Sequence, residues 1–480
     1  MFLLNHFKTF FANESPENIN HSSFVYKRQR MEFIKSLKPL QAQDYPVQSI
    51  SRILQASIEA AEPFRVVEQN LSIIKDQLQV GSKTFLLYPT SRIVTVAIGK
   101  ASISMAEAAQ AILGGRIEKG VVVCKHLPVG CHSIGKIEVL QGSHPVPDDK
   151  SIEAALRIEQ LVSSLTANDV VLLLISGGGS ALVCRPADGI TLQDMQAVTS
   201  ALLKSGASIN ELNAVRKHLD MIKGGGLLKM ARPAQVAGLV ISDVVNSPLD
   251  VIASGPGVPD PSTFAEATSI LEKYVSLDAV PVSVRERFEK GCRGEVEETL
   301  KPDDPMAARV SHTIAASNRV SAEAAMKAAQ EEGFDAEIIT CEMVGDARLA
   351  GEALADKLLN RRVKGKPWVG IAGGETTVKV KGNGLGGRNL EVALGAVRKL
   401  SGLANCLLVT QATDGEDGPT DAAGAYVTGD TLDKAISFEM EPEAYLDNND
   451  AYRFFEKVGG LIVTGPSGTN VNDLNYIFRF

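Results

Sequence analysis

Two basic residues stand where an apolar run or a glycine-rich turn gives way to a helical pattern. Lys100 follows the run 93–98 and Gly99, and Arg388 closes the turn Gly384-Leu-Gly-Gly387. A cation at such a junction can share an anion with helix N–H groups. The arginine fork can bind phosphate or carboxylate bidentately. Lys100 and Arg388 are therefore candidate catalytic cations. An exposed surface lysine and a salt-bridged arginine at a helix terminus are the alternatives.

Two acidic residues follow apolar runs that read as strands. Asp243 lies in Ile-Ser-Asp-Val-Val-Asn246, and Asp414 lies in Ala-Thr-Asp-Gly-Glu-Asp417. Carboxylates at strand ends in a cleft can hold Mg²⁺ or accept the proton of a hydroxyl. We therefore regard Asp243 and Asp414 as candidate catalytic residues and candidate magnesium ligands. An Asx turn or a helix cap is the alternative for each.

A glycine-rich loop follows the most apolar strand pattern of the chain. The run Val170–Ile175 is too short for a helix and predicts a strand buried on both faces. Consecutive glycines let backbone N–H groups converge on a guest, and the flanking serines add hydroxyl donors. A flexible turn is the alternative. The candidate phosphate- or carboxylate-binding residues of this loop are Ser176, Gly177, Gly178, Gly179 and Ser180.

Alternating strand and helix patterns surround these residues. Strands are predicted at 93–98, 121–124, 137–140, 170–175 and 236–241, and helices at 151–165, from 192 and up to 223–226. This order predicts a doubly wound parallel sheet with helices on both faces and a cleft at its strand ends. Arg216, Lys217 and His218 fall on an otherwise apolar helical stretch and could equally form a solvated face.

A polar stretch separates this pattern from a second α/β pattern. Beyond it, strands are predicted at 313–315, 336–339 and 368–372, and helices at 320–330, 346–359 and from about 390. The predicted organisation is a poorly ordered extension over 1–45, a Rossmann-like domain over 46–290, a linker over 291–308 and a second α/β domain over 309–480.

Composition excludes several classes of protein. The net charge of −8 argues against a nucleic-acid partner, which would need a basic face. No apolar run is long enough to span a membrane. The six cysteines lack the spacing of a zinc site and indicate free thiols in a reducing compartment. The expected location is cytoplasmic, and a mitochondrial one stays open because the first 45 residues could be a transit peptide, although they contain acids.

Three common nucleotide-binding and hydrolase motifs are each matched only in part by the sequence. The stretch Gly130–Lys136 matches a P-loop until Ile137, where a hydroxyl should stand. A dinucleotide fingerprint would need a third glycine at Leu182 in the first glycine run or at Asn389 in the second. The hydrolase motif G-x-S-x-G also ends in Leu182. A nicotinamide cofactor is therefore disfavoured.

Several motifs, in order along the chain, resemble those of the class II glycerate kinases. Those of the amino-terminal domain are Ser176-Gly-Gly-Gly-Ser-Ala-Leu182, Ser205-Gly-Ala-Ser-Ile-Asn-Glu211, Asn213-Ala-Val-Arg-Lys-His-Leu219, Ile241-Ser-Asp-Val and Ala253-Ser-Gly-Pro256. Those of the carboxy-terminal MOFRL domain are Gly373-Gly-Glu-Thr-Thr-Val378, Gly384-Leu-Gly-Gly-Arg-Asn389, Thr413-Asp-Gly-Glu-Asp-Gly418 and Thr464-Gly-Pro-Ser-Gly-Thr-Asn470. The resemblance runs from about residue 48 to about residue 475.

The resemblance implies a two-domain α/β protein with its active site in the inter-domain cleft. It also implies ATP-dependent phosphorylation of D-glycerate, usually to 2-phosphoglycerate, with Mg²⁺. Lys100 and Arg388 match the main active-site cations of the family. The residues that match its other cleft positions are Asp243, Asn318, Glu375 and Asp414, and Gly386 and Gly387 belong to the turn before Arg388. The extension before residue 45 has no counterpart, and the end, 475–480, departs from the usual final strand.

Other functions stay open beside this one. Phosphorylation at C3 would give 3-phosphoglycerate, and a hydroxypyruvate reductase using NAD(P)H would act on a related hydroxy acid. A non-catalytic metabolite-binding regulator would predict gaps among the charged residues, and none is seen. A homodimer is compatible with the sequence, which does not decide the oligomeric state.

Overall fold

The computed structural model describes residues 33–363 and 365–480. Residues 1–32, most of the predicted extension, lie outside this part of the chain. The first elements are α1 (Phe33–Leu37), α2 (Val47–Glu59), α3 (Pro63–Asn70), β1 (Leu71–Ile74), β2 (Gln77–Val80) and β3 (Lys83–Leu86). Strands β1 to β3 form a small antiparallel sheet.

The first large sheet and its helices follow. The elements are β4 (Ile93–Ile98), α4 (Ser102–Leu113), β5 (Ile117–Cys124), β6 (Ser133–Ile134), β7 (Ile137–Gln141), α5 (Asp149–Val162), β8 (Val170–Ile175), α6 (Gly179–Leu182), α7 (Leu192–Lys204), α8 (Ile209–Leu219), α9 (Gly226–Met230), β9 (Gln235–Ile241), α10 (Phe264–Tyr274), α11 (Val282–Cys292) and β10 (Val310–Ala316). Short 3-10 turns lie at Lys38–Gln43, Gly114–Arg116, Ile252–Ser254, Leu277–Ala279 and Pro305–Arg309.

The first sheet has the strand order β10-β9-β8-β4-β5-β7-β6. Its strands are parallel except β6, which runs antiparallel to β7. Strand β8 is buried on both faces, because Leu172 and Leu174 pack in one core and Val171 and Leu173 in another. The prediction of a parallel sheet covered on both sides is confirmed. Helix α8, however, ends at Leu219 rather than at the glycines after residue 223.

The remaining elements build a second sheet. They are α12 (Asn318–Glu331), β11 (Asp335–Met343), α13 (Ala347–Asn360), β12 (Trp368–Gly374), α14 (Arg388–Leu400), β13 (Cys406–Ala412), β14 (Gly424–Thr428), α15 (Thr431–Ser437), α16 (Pro442–Asp447), α17 (Ala451–Val458), β15 (Leu461–Ile462) and β16 (Asp473–Arg479). The order β11-β12-β16-β13-β14-β15 places the final strand at the centre of this sheet, antiparallel to both neighbours. The sheet is therefore mixed.

The structure shifts the predicted domain boundaries. Strand β10, assigned to the second domain, pairs in parallel with β9 at the edge of the first sheet. The segment 33–59 packs on the second sheet and its helices: the Tyr45 hydroxyl donates to the Cys406 carbonyl at 2.7 Å, and the Tyr476 hydroxyl donates to Ser57 at 2.9 Å. We call residues 63–316 the first lobe, and residues 33–59 with 318–480 the second lobe. Part of the predicted disordered extension is thus folded structure.

No helix in residues 33–363 and 365–480 is long and apolar enough to cross a membrane. The six cysteines are free thiols, as predicted.

Candidate active site

Lys100 and the glycine-rich loop lie side by side at the reversal point of the first sheet. From β4 the chain first adds strands on one side, β5 and β7, and then on the other, β8, β9 and β10. Open α/β sheets bind ligands at such a point, beyond the carboxyl ends of the strands. The Lys100 N–H donates to the Gly177 carbonyl at 2.9 Å, and the Ala101 N–H donates to Ser176 Oγ at 3.0 Å. The two predicted features therefore form one surface.

Two glycines in this loop permit close approaches that a side chain would block. A Cβ on Gly177 would lie 2.0 Å from Asp243 Oδ2, so the carboxylate rests directly on the loop main chain. Gly178 has a φ of 85°, and a Cβ there would lie 3.2 Å from His144 and 3.4 Å from Lys100 Cγ. The loop is thus bordered by a carboxylate, a lysine and an imidazole.

The far end of the loop is fixed by a chain of hydroxyl groups. Ser180 shares a hydrogen bond with Ser254, whose hydroxyl also donates to Asn213 Oδ1 at 3.2 Å. Ala253 and Ser254 have φ values of 51° and 60°, a conformation that costs free energy in residues other than glycine. A Cβ on Gly179 would lie 2.8 Å from Ala253 Cβ. The strained turn therefore packs against the loop and holds Ser180 in one orientation.

Basic side chains gather at the ends of neighbouring parallel strands. Lys100 follows β4, Lys125 follows β5 and His144 lies just beyond β7. Burial and the charges of Lys100 and Lys125 lower the pKa of His144. Burial raises the pKa of Asp243, and Lys100 opposes this shift. Lys125 and His144 were not predicted from the sequence, although each follows a parallel strand and could have been found by that position.

In the second lobe Arg388 is the first residue of α14 and is held by two carboxylates. Nε donates to Asp473 Oδ2 at 2.5 Å, Nη2 donates to Asp473 Oδ1 at 3.1 Å, and Nη1 donates to Glu375 Oε1 at 2.8 Å. Asp473 is buried, which raises the pKa of its carboxyl, and Arg388 opposes the shift. Each terminal nitrogen of Arg388 keeps a second N–H that can reach a ligand. The salt bridges named as the alternative for Arg388 are therefore present, and anion binding by its remaining N–H groups stays a prediction.

The N-terminus of α14 is occupied by Asp417. Its carboxylate accepts hydrogen bonds from the Asn389 N–H at 3.1 Å and from the Leu390 N–H at 2.8 Å. A Cβ on Gly387 would lie 2.5 Å from this carboxylate, and one on Gly418 would lie 2.4 Å from the Gly386 carbonyl. The structure thus packs Gly386 and Gly387 against the turn 417–418, and this helix terminus is already occupied by a carboxyl group of the protein. Burial raises the pKa of Asp417 to about 7.

Asp414 is the point at which charges of the two lobes meet. It follows β13 and accepts hydrogen bonds from the Glu416 N–H at 3.3 Å and from Asn470 Nδ2 at 3.2 Å. Burial raises its pKa, whereas Arg388 and Lys100 oppose the shift. Lys100 is therefore close enough to act electrostatically on a second-lobe carboxylate as well as on Asp243.

Asn318 has a structural position that the resemblance did not indicate. It begins α12 directly after β10, and its amide donates to the carbonyls of Val471 at 3.0 Å and of Asp473 at 2.9 Å. Its Oδ1 has no hydrogen-bond partner within the described residues, and a Cβ on Gly373 would lie 1.8 Å from it. Asn318 thus lies at the start of the second lobe and supports the main chain at Asp473, the partner of Arg388.

Asp473, Asp417 and Asn389 were likewise not predicted as site residues from the sequence. Asn389 Nδ2 donates to Asp473 at 2.9 Å and to Asp417 at 3.2 Å, and so bridges two buried carboxylates. The available signal was an acidic residue at the start of an apolar run, in Asn472-Asp-Leu-Asn-Tyr476. Since buried carboxylates need partners, this residue could have been expected to meet a cation.

The chain matches two known protein families, one mainly in each lobe. Residues 49–289 match a domain described as a domain of unknown function, DUF4147, and residues 368–473 match the MOFRL family. A protein of Thermotoga maritima named D-glycerate 2-kinase is 44% identical over 430 residues, which cover 88% of this chain and 95% of that protein. The chain belongs to the class II glycerate kinase family.

Structural comparison agrees with this membership. A crystal structure titled as glycerate kinase from Thermotoga maritima superposes with a TM-score of 0.78 at 40% identity, and the match covers 93% of this chain and 100% of that one. A family relative from Agrobacterium vitis, named putative hydroxypyruvate reductase, is 39% identical over 440 residues, 90% of this chain and 94% of that protein.

Proposed function

We propose that this protein phosphorylates D-glycerate with ATP to give 2-phosphoglycerate, in the space between the glycine-rich loop and the carboxylates of the second lobe. The observation that carries the proposal is the position of Lys100. It lies against the loop at the sheet reversal point and acts electrostatically on both Asp243 and Asp414. The name of the Thermotoga relative supports the choice of substrate and product.

The arrangement suits phosphoryl transfer. That reaction requires positioning and compensation of charge on the transferred group, with little covalent chemistry by the protein. Lys100 and Arg388 supply positive charge, and the loop 176–180 supplies backbone N–H groups. A carboxylate with a raised pKa is a stronger base than an exposed one, so Asp243 or Asp414 can accept the proton of the attacking hydroxyl.

Magnesium fits these residues as an ion delivered with the nucleotide. The described residues contain no group of three side chains that would form a metal cage by themselves. Mg²⁺ is usually bound by one or two carboxylates together with substrate phosphates and water. Asp243 and Asp414 are the carboxylates that would hold it, and the ion would neutralise charge on the phosphates.

The choice between the two hydroxyl groups of glycerate depends on where the carboxylate is held. If a cation binds the carboxylate close to the transferring phosphoryl group, the adjacent C2 oxygen is nearer than the C3 oxygen. We therefore expect 2-phosphoglycerate. Coupling the reaction to enolase, which accepts the 2-isomer, should give an immediate signal. ADP release with an enolase signal only after phosphoglycerate mutase is added would show C3 phosphorylation instead.

The reductase alternative makes a different prediction. Neither glycine-rich run has the third glycine of a dinucleotide fingerprint, since Leu182 and Asn389 stand there. In addition, the N-terminus of α14 is occupied by Asp417 and cannot bind a pyrophosphate without displacing it. Incubation with hydroxypyruvate and NADH should leave the absorbance of NADH unchanged, while incubation with D-glycerate, ATP and Mg²⁺ should release ADP. NADH consumption without ADP release in the second assay would refute the kinase assignment.

A further inference from the structure

Three consecutive basic residues at the end of α8 have different surroundings. Lys217 is buried and lies 3.1 Å from Asp260. His218 is buried too, with its ring nitrogens 2.7 Å from the Ala214 carbonyl and 3.0 Å from Glu298. Arg216 is only partly exposed, yet it makes no hydrogen bond or salt bridge in the described part of the chain. The structure thus gives partners to two of the three cations and leaves the arginine without one.

Arg216 lies on the helix that is hydrogen-bonded, through Asn213, to the far end of the glycine-rich loop. It follows Asn213 by one helical turn, so both side chains emerge from the same side of α8. Asn213 accepts a hydrogen bond from Ser254, which is bonded to Ser180 of the loop. The charge of Arg216 also acts on Cys184, four residues beyond Ser180. Arg216 therefore lies on the side of α8 from which Asn213 reaches Ser254 and, through it, Ser180.

The nearest acidic group is already engaged. Asp220 acts electrostatically on Arg216, but its carboxylate accepts hydrogen bonds from Lys223, from the Ile222 N–H at 3.0 Å and from the Arg185 N–H at 3.3 Å. A guanidinium stays protonated under all ordinary conditions, and burying it without a partner costs free energy. An external anion would compensate this cost. The structural alternative is that Arg216 only stabilises the negative carboxyl-terminal end of the α8 dipole.

We propose that Arg216 binds the carboxylate of the hydroxy-acid substrate at the Ser180 end of the loop, while Lys100, which lies against Gly177 and Gly178 of the same loop, serves the adjacent phosphoryl group. This inference rests on the function proposed above. Lys100 is the cation that lies directly against the loop at Gly177 and Gly178, so the phosphoryl transfer between the two substrates belongs there. A planar carboxylate matches the arginine fork in a bidentate geometry. Arg216 would thus set the specificity for a substrate that carries a carboxylate.

Steady-state kinetics of Arg216→Met and Arg216→Lys test the proposal. Loss of a charge-assisted contact should raise the KM for D-glycerate about 10- to 100-fold in Arg216→Met and leave the KM for ATP within about twofold. Arg216→Lys should show a smaller rise, because the charge remains but the fork is lost. Guanidinium at non-denaturing concentration should partly restore the activity of Arg216→Met. The control is Arg157→Met, which removes an exposed arginine paired with Glu138 and should change neither KM.

Each other outcome overturns the assignment. A rise in the KM for ATP alone would show that Arg216 binds phosphate, and no change in either KM would show that it serves only the end of α8. If Arg216→Met does not fold, the lysine variant decides by the same comparison. The shift in Tm that D-glycerate causes in the wild type and in Arg216→Lys separates this proposal from the proposed function. If the wild type has no kinase activity but D-glycerate stabilises it more than the variant, the kinase assignment is refuted and the Arg216 site is kept. Equal stabilisation would refute the site.

Discussion

Arg388 and Asp473 form a two-point ion pair between residues 85 positions apart, with Nε 2.5 Å from Oδ2 and Nη2 3.1 Å from Oδ1. Asp473 is 3% exposed, so its carboxylate has no access to bulk water as a substitute partner. The pair fixes the plane of the guanidinium at the start of α14. Because a misplaced cation cannot stabilise developing charge, Asp473 acts on the reaction through the orientation of Arg388.

Replacement of Asp473 tests this role. Asp473→Asn should lower kcat on the order of 10²-fold, since the amide is uncharged and Glu375 is then the carboxylate that still pairs with Arg388. It should also destabilise the fold by about 3–5 kcal/mol, the usual effect of removing one partner of a buried pair. Urea unfolding and steady-state kinetics measure the two effects. Glu441→Gln, which removes an exposed partner of Arg398, should cost no more than about 1 kcal/mol. Wild-type kcat in Asp473→Asn would contradict the positioning role.

Lys100→Met should leave a folded protein with a large loss of turnover. Lys100 is exposed on the cleft surface, so its removal leaves no cavity, but removal of one charge-stabilising group typically costs on the order of 10²–10³ in rate. ADP release under saturating substrates measures the effect. Lys119→Met, an exposed lysine on β5, is the control. A normal rate in Lys100→Met would remove the central residue of the proposed site.

Gly177→Ala should disturb the site by steric conflict. Its Cβ would lie 2.0 Å from Asp243 Oδ2, so either the loop or the carboxylate must move. We expect a destabilisation of about 1–3 kcal/mol, typical of overpacking, and a fall in kcat/KM of at least about tenfold. Gly115→Ala, where a Cβ would meet nothing within 4 Å, is the matched control. Equal activity of the two variants would show that Asp243 tolerates displacement.

The pH dependence of stability should report on Asp417. Burial raises its pKa from 3.8 to about 7 in the folded protein. Between these values the folded state holds a proton that the unfolded state has lost, so stability falls as pH rises. The contribution of this group should decline by up to about 1.4 kcal/mol per pH unit over that window. Asp417→Asn keeps an acceptor for the helix N–H groups but does not titrate.

Denaturant unfolding of both proteins from pH 4 to pH 8 provides the measurement. The difference in unfolding free energy, wild type minus Asp417→Asn, should decrease with pH and level off above about pH 7. A difference that stays constant with pH would mean that Asp417 is ionised throughout, held by the N–H groups of α14.

Removal of residues 1–45 should destabilise the second lobe. The side chains of Phe33, Leu37 and Leu40 are 1%, 0% and 1% exposed, so the deletion uncovers a buried surface. Each buried apolar side chain of this size contributes about 1.5–3 kcal/mol. Thermal unfolding should show a lower Tm for the protein that starts at residue 46 than for one that starts at residue 33. Equal Tm values would show that this segment is dispensable.

The sequence by itself determined the local parts of the site. The run Val170–Ile175 is a strand with the predicted bounds, as is Ile93–Ile98, because short apolar runs that end in glycine are a local signal. Since both strands belong to a repeated strand–helix pattern, a parallel sheet follows, and its strand ends necessarily share one edge. For this reason the sequence alone predicts that Lys100 and the glycine-rich loop lie at the same edge of the sheet.

Only the tertiary structure decided which distant segments meet. Strand β10 joins the first sheet, and helix α2 packs on the second sheet and its helices. Neither could be predicted, since edge positions and helix docking depend on surfaces made by the whole chain. The partner of Arg388 was hidden for the same reason: Asp473 lies 85 residues away on the final strand, and no periodic pattern connects the two. The separate fates of Arg216, Lys217 and His218 are likewise tertiary. In the sequence these three consecutive basic residues look alike, and each could be buried or exposed. They differ in the structure because Asp260 and Glu298, which belong to other segments, pair with Lys217 and His218 but not with Arg216.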